Sequence, residues 1–511
     1  MPTQAVLSGL RAHWTVASDP RATRDRRYLD TADWRVFAAG WTLEFDRERG
    51  HGSLLLRDRR SDAVVLVGET DGPPQFGPDL PAAASWARVR DAVDTRRLLV
   101  QAQLQTGLRT VRIVDGEGKT TARVVLEHHL AAANGARHRL ARHAAIMPVR
   151  GYDRVAAKIA GLLGDRLGLA AVDEPLLVSV LAVLEQPPPG SRLGPAAPLT
   201  PAMSAGDAMG AVMARLRQQL TENEPGVRGE LDTEFLHDYR VALRRCRTII
   251  RQVRDVLPAE TAGALATELA WLADLTGPVR DLDVHLLELP GGPATDDSIT
   301  PLRAHLTLRR AQAQAALVAA LDSPRYVDLL ELWQGVQRPP ARPALTRAGQ
   351  PAVTRAGQPA REVIDASIER AYRRVVRRGR AIRPSTAPEA LHDLRKRGKE
   401  LRYLLECFHH LYPDETRAAV VRELKALQDN LGEFQDCQVQ AAALRSMADE
   451  LLASRAAPAA TLMAMGRLAD ALEGREARAR AEFGTRFGRF DSPRNRKRFE
   501  ELLAAGPADP P

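Results

Sequence analysis

The sequence predicts an α+β multidomain chain, with an antiparallel β region first and an all-α, internally duplicated helical bundle of pseudo-twofold symmetry after it. Three observations carry this. Before residue 186 short β-branched runs alternate with turn residues; after residue 201 the apolar period lengthens to that of helices; and one segment of the helical half recurs 155 positions later. With 511 residues, 44% hydrophobic and 27% charged, the chain is long enough for several cores and too apolar for a disordered polymer.

In chain order, the strand candidates are Trp41 to Phe45, Ser53 to Arg57, Ala63 to Val67 and Thr110 to Val114. Asp71-Gly72 and Asp115-Gly116 supply turn chemistry, and the second pair predicts a hairpin between Val111–Val114 and Ala122–Leu126. The apolar run Pro175 to Leu184 is too short to span a bilayer, and MPTQAVLSGLRAHW has no charged-then-apolar leader pattern. A cytoplasmic protein without membrane attachment is expected. Cys246, Cys407 and Cys437 show no CxxC spacing, so neither a disulfide framework nor a zinc site is indicated.

Two Pro/Gly-rich breaks organise the chain. The expected division is a β domain over 1–185, a linker over 186–200, a first helical half over 201–334, a spacer over 335–360, a second half over 361–495 and a tail over 496–511. The spacer holds a tandem octad, TRAGQPAV then TRAGQPA.

The duplication places LHDYRVALRRCRTIIRQV, from Leu236, on LHDLRKRGKELRYLLECF, from Leu391. The same shift pairs Glu268 with Glu423, Leu272 with Leu427, Gly277 with Gly432, Asp281 with Asp436 and, upstream, Arg215 with Arg370. Placed at about 100° per residue, His237, Arg240, Arg244, Arg247, Arg251 and Arg254 share one arc, while Tyr239, Ala242, Leu243, Cys246, Ile249, Ile250 and Val253 take the other. His392, Arg395, Lys399, Arg402 and His409 repeat the stripe, interrupted by Glu406.

Most charged stripes are ordinary solvated faces of mixed sign. This one sets Arg beside Arg four times from Arg240 to Arg254, at about 0.2–0.5 kcal/mol of repulsion each. A polyanion relieves such repulsion, and guanidinium forks suit phosphate oxygens. A further basic helix before the second copy offers Arg370, Arg373, Arg374, Arg377 and Arg380 as another wall. Aromatics total only 5%, and only Tyr403 lies near the polar arc, so single-stranded nucleic acid, which asks for stacking platforms, is poorly served. Inorganic polyphosphate, a linear phosphate chain without bases, fits best. No HExxH or i,i+4 histidine pair marks a metal site, and Asp281, Asp283 and Asp436, beside what reads as a Gly turn, are expected to be structural. The pairs His128-His129 and His409-His410 receive no role.

LHDYRVALRRCR, LTGPVRDLDV, LHDLRKRGKELRY and LQDNLGEFQD resemble the signature segments of the CHAD family, the conserved-histidine α-helical domains, over roughly residues 201 to 495. The resemblance implies two helical bundles around a basic polyphosphate-binding surface, and association with polyphosphate granules in some members. Its motif histidines fall on His237 and His392, and its basic positions on Arg240, Arg244, Arg247, Arg395, Lys399 and Arg402. The expected polyphosphate-binding set is these eight with Arg251, Arg370, Arg373 and Arg377, and it needs no cofactor.

RRYLDTADWRVFAAGWTLEF and VRGYDRVAAKIAGLL resemble the CYTH family, whose antiparallel β tunnel binds triphosphates with divalent metal. The family's first-strand ExExK is missing, since AVLSGLRAHWTV has no carboxylate, and the expected Leu-Arg-x-Arg reads Leu43-Glu44-Phe45-Asp46. Metal-assisted phosphoryl transfer needs such carboxylates. A degenerate, non-catalytic CYTH-like domain is therefore expected, with Arg57, Arg112 and Arg123 as possible tunnel cations, no catalytic residue and no metal ligand assigned, and Mg²⁺ or Mn²⁺ needed only if the domain is active. The alternatives are a metal-dependent triphosphatase and a helical scaffold for protein or nucleic acid; no protein partner is indicated.

Overall fold

The computed structural model describes residues 3–48, 51–133, 136–172, 175–185, 199–289, 297–337 and 355–504. Most of the expected linker and spacer lies outside these residues. The chain divides into two compact units, Met1–Pro195 and Ala196–Pro511.

The first unit holds helix α1 (Thr3–Arg11), strands β1 (Thr15–Ser18) and β2 (Ala22–Asp30), α2 (Arg35–Ala38), β3 (Trp41–Glu48), β4 (His51–Asp58), β5 (Val64–Glu69), α3 (Ala87–Val93), β6 (Leu99–Val114), β7 (Thr120–Ala133), β8 (Ala136–Arg139), β9 (His143–Pro148), α4 (Asp153–Gly161) and α5 (Leu176–Val183). The strands form one nine-stranded antiparallel sheet in the order β5-β4-β3-β2-β6-β7-β8, with β1 added to β6 and β9 to β7. Alternation divides its faces. Leu43 and Phe45 of β3 and Leu54 and Leu56 of β4 pack under Trp86, Val89 and Val93. Further along, α1 and α4 cover Val111, Ile113, Val124 and Leu126, and α5, the short apolar run, packs on Tyr28, Leu104 and Ala131. The expected hairpin pairs Val111 with Val124. Its left-handed residue is Gly118, not Gly116, because the Asp115 carboxylate accepts from the backbone N–H of Glu117 and Lys119 and carries the chain two residues further before it reverses.

The second unit is helical: α6 (Ala205–Arg228), α7 (Thr233–Gln252), α8 (Ala259–Glu288), α9 (Thr300–Leu321), α10 (Pro324–Val336), α11 (Ala360–Ala381), α12 (Pro388–Cys407), α13 (Asp414–Ala453), α14 (Ala459–Phe490) and α15 (Pro493–Ala504). Helices α11, α12 and α13 begin 155 residues after α6, α7 and α8. The shift has a spatial counterpart. Ser204 bridges Pro359, its own equivalent, and Ala205 N–H donates to the Gln358 carbonyl at 2.8 Å while Ala360 N–H donates to that of Met203 at 2.8 Å. Each bond is the image of the other, so a pseudo-twofold axis passes through this crossing.

Helix α7 starts at Asp232, whose side chain accepts from the N–H of Glu234 and Phe235. Its apolar arc, Tyr239, Ala242, Leu243, Cys246, Ile249, Ile250 and Val253, is buried as expected. Gly277 and Gly432, expected at turns, lie inside α8 and α13. Residues 496–504, expected in the tail, continue α15, where Phe499 and Leu502 are buried. Among the described residues no helix is long and apolar enough to cross a membrane.

Candidate anion-binding groove

The two basic helices touch, and they touch symmetrically. Arg245 of α7 donates to Glu406 of α12 at 2.6 Å, and Arg251 of α7 to Glu400 of α12 at 2.6 Å. Position 245 is the equivalent of 400, and 251 of 406, so these ion pairs are one contact used twice, three residues either side of Thr248 and Tyr403. Glu406, which interrupts the second stripe, is thereby explained: it is the partner of an arginine on the first.

Glu400 is only 2% exposed and is the hub of one end. It accepts from Arg251, from Arg397 at 2.9 Å and from Gln252 Nε2 at 2.9 Å, with Arg374 at 3.9 Å. Arg374 also donates to Gln252 Oε1, and Arg370 to the Gln252 carbonyl at 3.4 Å. Arg251, expected to grip a ligand, is thus committed to holding the two copies together.

At the centre the pattern differs. Among the described residues no acid pairs with Arg240, Arg244, Arg247 or Lys399. Arg240 Nη1 donates to neutral groups, Thr276 Oγ1 at 2.8 Å and the Ala273 carbonyl at 3.2 Å. Its guanidinium lies against α8 at Gly277, where an added β-carbon would meet Arg240 Nη1 at an ordinary contact distance of 3.6 Å. Burial, then Arg244, with Asp281 opposing and Arg280 and Arg247 behind it, brings the Arg240 pKa down to about 10. Lys399 falls to about 7 through burial, then Arg395 and Arg244, with Asp436 opposing and Arg402 adding to the fall. Arg244 and Lys399 are equivalent positions on different helices, so cations of both copies converge near the axis. Desolvation and like charge act together here, and both favour the uncharged amine.

The second copy is less bare. Arg395 lies over Gly432 as Arg240 lies over Gly277, but donates to Asp436 at 3.0 Å. The reason is local: the place of Thr276 is taken by Leu431, which offers no oxygen. Arg402 approaches Glu406 at 3.5 Å, and His392 Nδ1 meets Gln435 Oε1 at 2.6 Å. His237 occupies the matching place on half-buried α7 surface. Of the α11 wall, Arg373 pairs with Glu369 at 2.5 Å and Arg380 with Asp491 at 2.7 Å, while Arg377 lines a cleft with Tyr372, Arg374 and Arg496. Tyr403 is buried beneath Arg245 and Arg402, about 6 Å from each guanidinium, and offers no face to a base. Asp283 is buried and accepts from Arg310 at 2.9 Å.

Part of the helical unit matches a known family. Residues 211–445 match the family model described as the CHAD domain. This stretch is a CHAD domain. The similar solved structures include the CHAD domain from the plant Ricinus communis, 23% identical, covering 60% of this chain and 95% of that one at a TM-score of 0.43. PptA from Streptomyces chartreusis is 17% identical, over 56% of this chain and 99% of that one, at 0.43. The first unit is similar to a Hippeastrum protein, HpAC1, a putative adenylyl cyclase described as having a dominant triphosphatase activity, at 14% identity over 37% of this chain and 94% of that one and a TM-score of 0.26. No curated protein matched the sequence.

Outside the CHAD domain, the β unit contains its own charged interior. Arg26 is ion-paired with Glu44 at 3.1 Å and donates to Glu127 at 3.3 Å, Arg57 donates to Glu44 at 3.0 Å, and Arg24 to Asp46 at 3.4 Å. His129, buried and brought down to about 3 chiefly by desolvation, meets Thr106 Oγ1 at 3.0 Å. Arg57 donates to Glu44 Oε2, whereas Glu44 Oε1 is only ion-paired with Arg26 and, like Asp46 Oδ1, is buried without a hydrogen bond; among the described residues no group of three or more His, Cys, Asp or Glu side chains could hold a metal ion. Arg57 belongs to this interior. Arg112 turns instead to Asp19 at 2.8 Å, and Arg123 is exposed.

Proposed function

We propose that the groove between α7 and α12 binds inorganic polyphosphate, with Arg240, Arg244, Arg247 and Lys399 as its centre and His237, His392, Arg395 and Arg402 as its margins. Arg370, Arg373 and Arg377 extend it along α11. The observation that carries this reading is the convergence on Lys399 of Arg395, Arg244 and Arg402 in a half-buried site where only Asp436, itself paired with Arg395, acts against them. Such a site is unfavourable when empty and becomes favourable when a chain of phosphates supplies the opposite charge. The row of phosphate oxygens matches a row of cations one helical turn apart, about 5.4 Å. Nothing in the groove reads a base.

The test is binding of long-chain polyphosphate to the full chain as salt is raised. If about six cations are engaged, the log–log slope should lie near −4, by analogy with single-stranded nucleic acid. Arg244→Glu with Lys399→Glu should remove most of the affinity. Unchanged binding in that variant places the site elsewhere.

The β unit is read as non-catalytic, because its interior cations are occupied by Glu44, Asp46 and Glu127. A full chain that released phosphate from tripolyphosphate with Mg²⁺ or Mn²⁺, and lost that turnover on Glu44→Gln, would establish the triphosphatase instead.

A further inference from the structure

The two ends of the groove are built differently. Under the pseudo-twofold, Arg215 of α6 is the counterpart of Arg370, and His409 is the counterpart of Arg254. At the first end Arg370, Arg254 and Arg374 act on one another electrostatically. At the other end Arg215 and Arg417 of α13 both act electrostatically on His409 and His410. The imidazole rings are 3.8 Å apart and tilted by 35°. His409 Nδ1 lies 3.0 Å from the Glu406 carbonyl. A carbonyl only accepts, so Nδ1 carries the hydrogen, and Nε2 is the nitrogen that takes a second proton.

We propose that Arg215, His409, His410 and Arg417 form a second arm of the groove, which engages the phosphate chain as the two imidazoles become protonated. This rests on the groove being a polyphosphate site. The first copy supplies a permanent cation, Arg254, where the second supplies a titratable one. The surrounding charges are Glu406 of α12, shared with Arg245 and Arg402, Asp414 of α13, paired with Arg417 at 2.7 Å, and Arg361 and Asp365 of α11, paired at 2.8 Å and bonded to the Leu411 carbonyl and the Tyr412 hydroxyl. Most of the nearby acids are held by arginines of their own; Asp414 still acts on the imidazoles in the opposite sense to Arg215, and among the described residues Arg215 has no ion-pair partner of its own.

Burial holds both histidines below their ordinary range, with His410 acting next on His409 and Arg215 next on His410. A bound phosphate chain reverses the local charge and raises both. Binding then takes up protons, and affinity rises as pH falls from the bound to the free values. Lys399 titrates at the groove centre through the same mechanism, so the pH profile of one protein does not isolate the arm. The difference between two proteins does.

Long-chain polyphosphate binding is therefore measured for the full chain, for His409→Gln with His410→Gln, and for His409→Arg, at about pH 8 and about pH 5.5. At the higher pH the wild type and the double variant should agree. At the lower pH the wild type should bind about tenfold more tightly than the double variant, as one raised imidazole gives. His409→Arg, which copies Arg254 into the second end, should bind several-fold more tightly than wild type at about pH 8. An equal gain on acidification in wild type and double variant, or no gain from His409→Arg, overturns the arm. Absence of wild-type binding at both pH values sinks the groove itself.

Discussion

Helices α7 and α12 have the same length, the same place in their bundles and the same leading His-Asp, yet one is almost free of acids on its polar arc and the other is not. The difference is complementary. Position 245/400 is Arg in the first copy and Glu in the second, and so is position 251/406, so the two contacts across the axis are salt bridges instead of repulsions. Position 276/431 is Thr then Leu, which leaves Arg240 on neutral oxygen while Arg395 is drawn to Asp436. Acids in the second copy therefore secure the joint, and the cations without an acid pair are Arg240, Arg244 and Arg247 of the first copy and Lys399 of the second.

The largest effect on this contrast is expected from Glu400. Replacing it with Leu leaves Arg251, Arg374 and Arg397 facing one another, and the unfolding free energy should fall by about 2–3 kcal/mol, less than for a fully buried pair because Arg251 is more than half exposed. Denaturant unfolding measures it; a loss under ~0.5 kcal/mol would mean that Glu400 is not the hub.

Next comes Lys399. Its folded pKa, about 7, lies well below the ordinary lysine value of 10.5. The unfolded chain therefore binds the proton more tightly, and stability should rise with pH between about 7 and 10.5 and be lowest, as far as this group goes, below 7. Lys399→Met should raise the melting temperature near pH 6, by about 1–3 kcal/mol equivalent, and weaken polyphosphate binding. A variant that melts with wild type at every pH would show that the lysine is not under electrostatic stress.

Smaller effects should follow from exchanging the residues that make the halves unlike. Thr276→Leu should send Arg240 to Asp281 and weaken binding a few-fold, and Leu431→Thr should release Arg395 and strengthen it by a similar factor; titration with polyphosphate reads both. If the two substitutions act in the same direction, the Thr/Leu difference does not set the charge of the groove. Least of all, Gly277→Ala and Gly432→Ala should each add about 0.5–1 kcal/mol, since both sit inside helices with nothing nearer than an arginine tip at 3.6 or 3.8 Å. A loss of stability in either would indicate closer packing of Arg240 or Arg395 on its glycine.

Much of this was legible in the sequence, for a physical reason: periodicity is local. The apolar arc of α7 and the offset of the duplication need no knowledge of the third dimension. What one helix could not reveal was which cation meets which acid. Arg251 belongs to the same stripe as Arg244 on any helical projection, and only the crossing with α12 gives it Glu400. Repulsion along the row from Arg240 to Arg254 is accordingly relieved at Arg251 and increased at Arg244, which acquires Lys399 as a neighbour. Glu44 and Asp46 were visible as departures from Leu-Arg-x-Arg, but their engagement with Arg26, Arg57 and Arg24 depends on strand register across β2, β3 and β4.

The reciprocal hydrogen bonds at Ala205 and Ala360 make the halves meet as the subunits of a homodimer would. In a true homodimer, however, both subunits carry the same residue at each position, and an arginine at 245 and at 251 would face its own kind across the axis. Only when both halves are encoded in tandem can one mutate to glutamate while its twin does not. The joining of the copies into a single polypeptide is thus what made an unequal, self-complementary seam available to evolution.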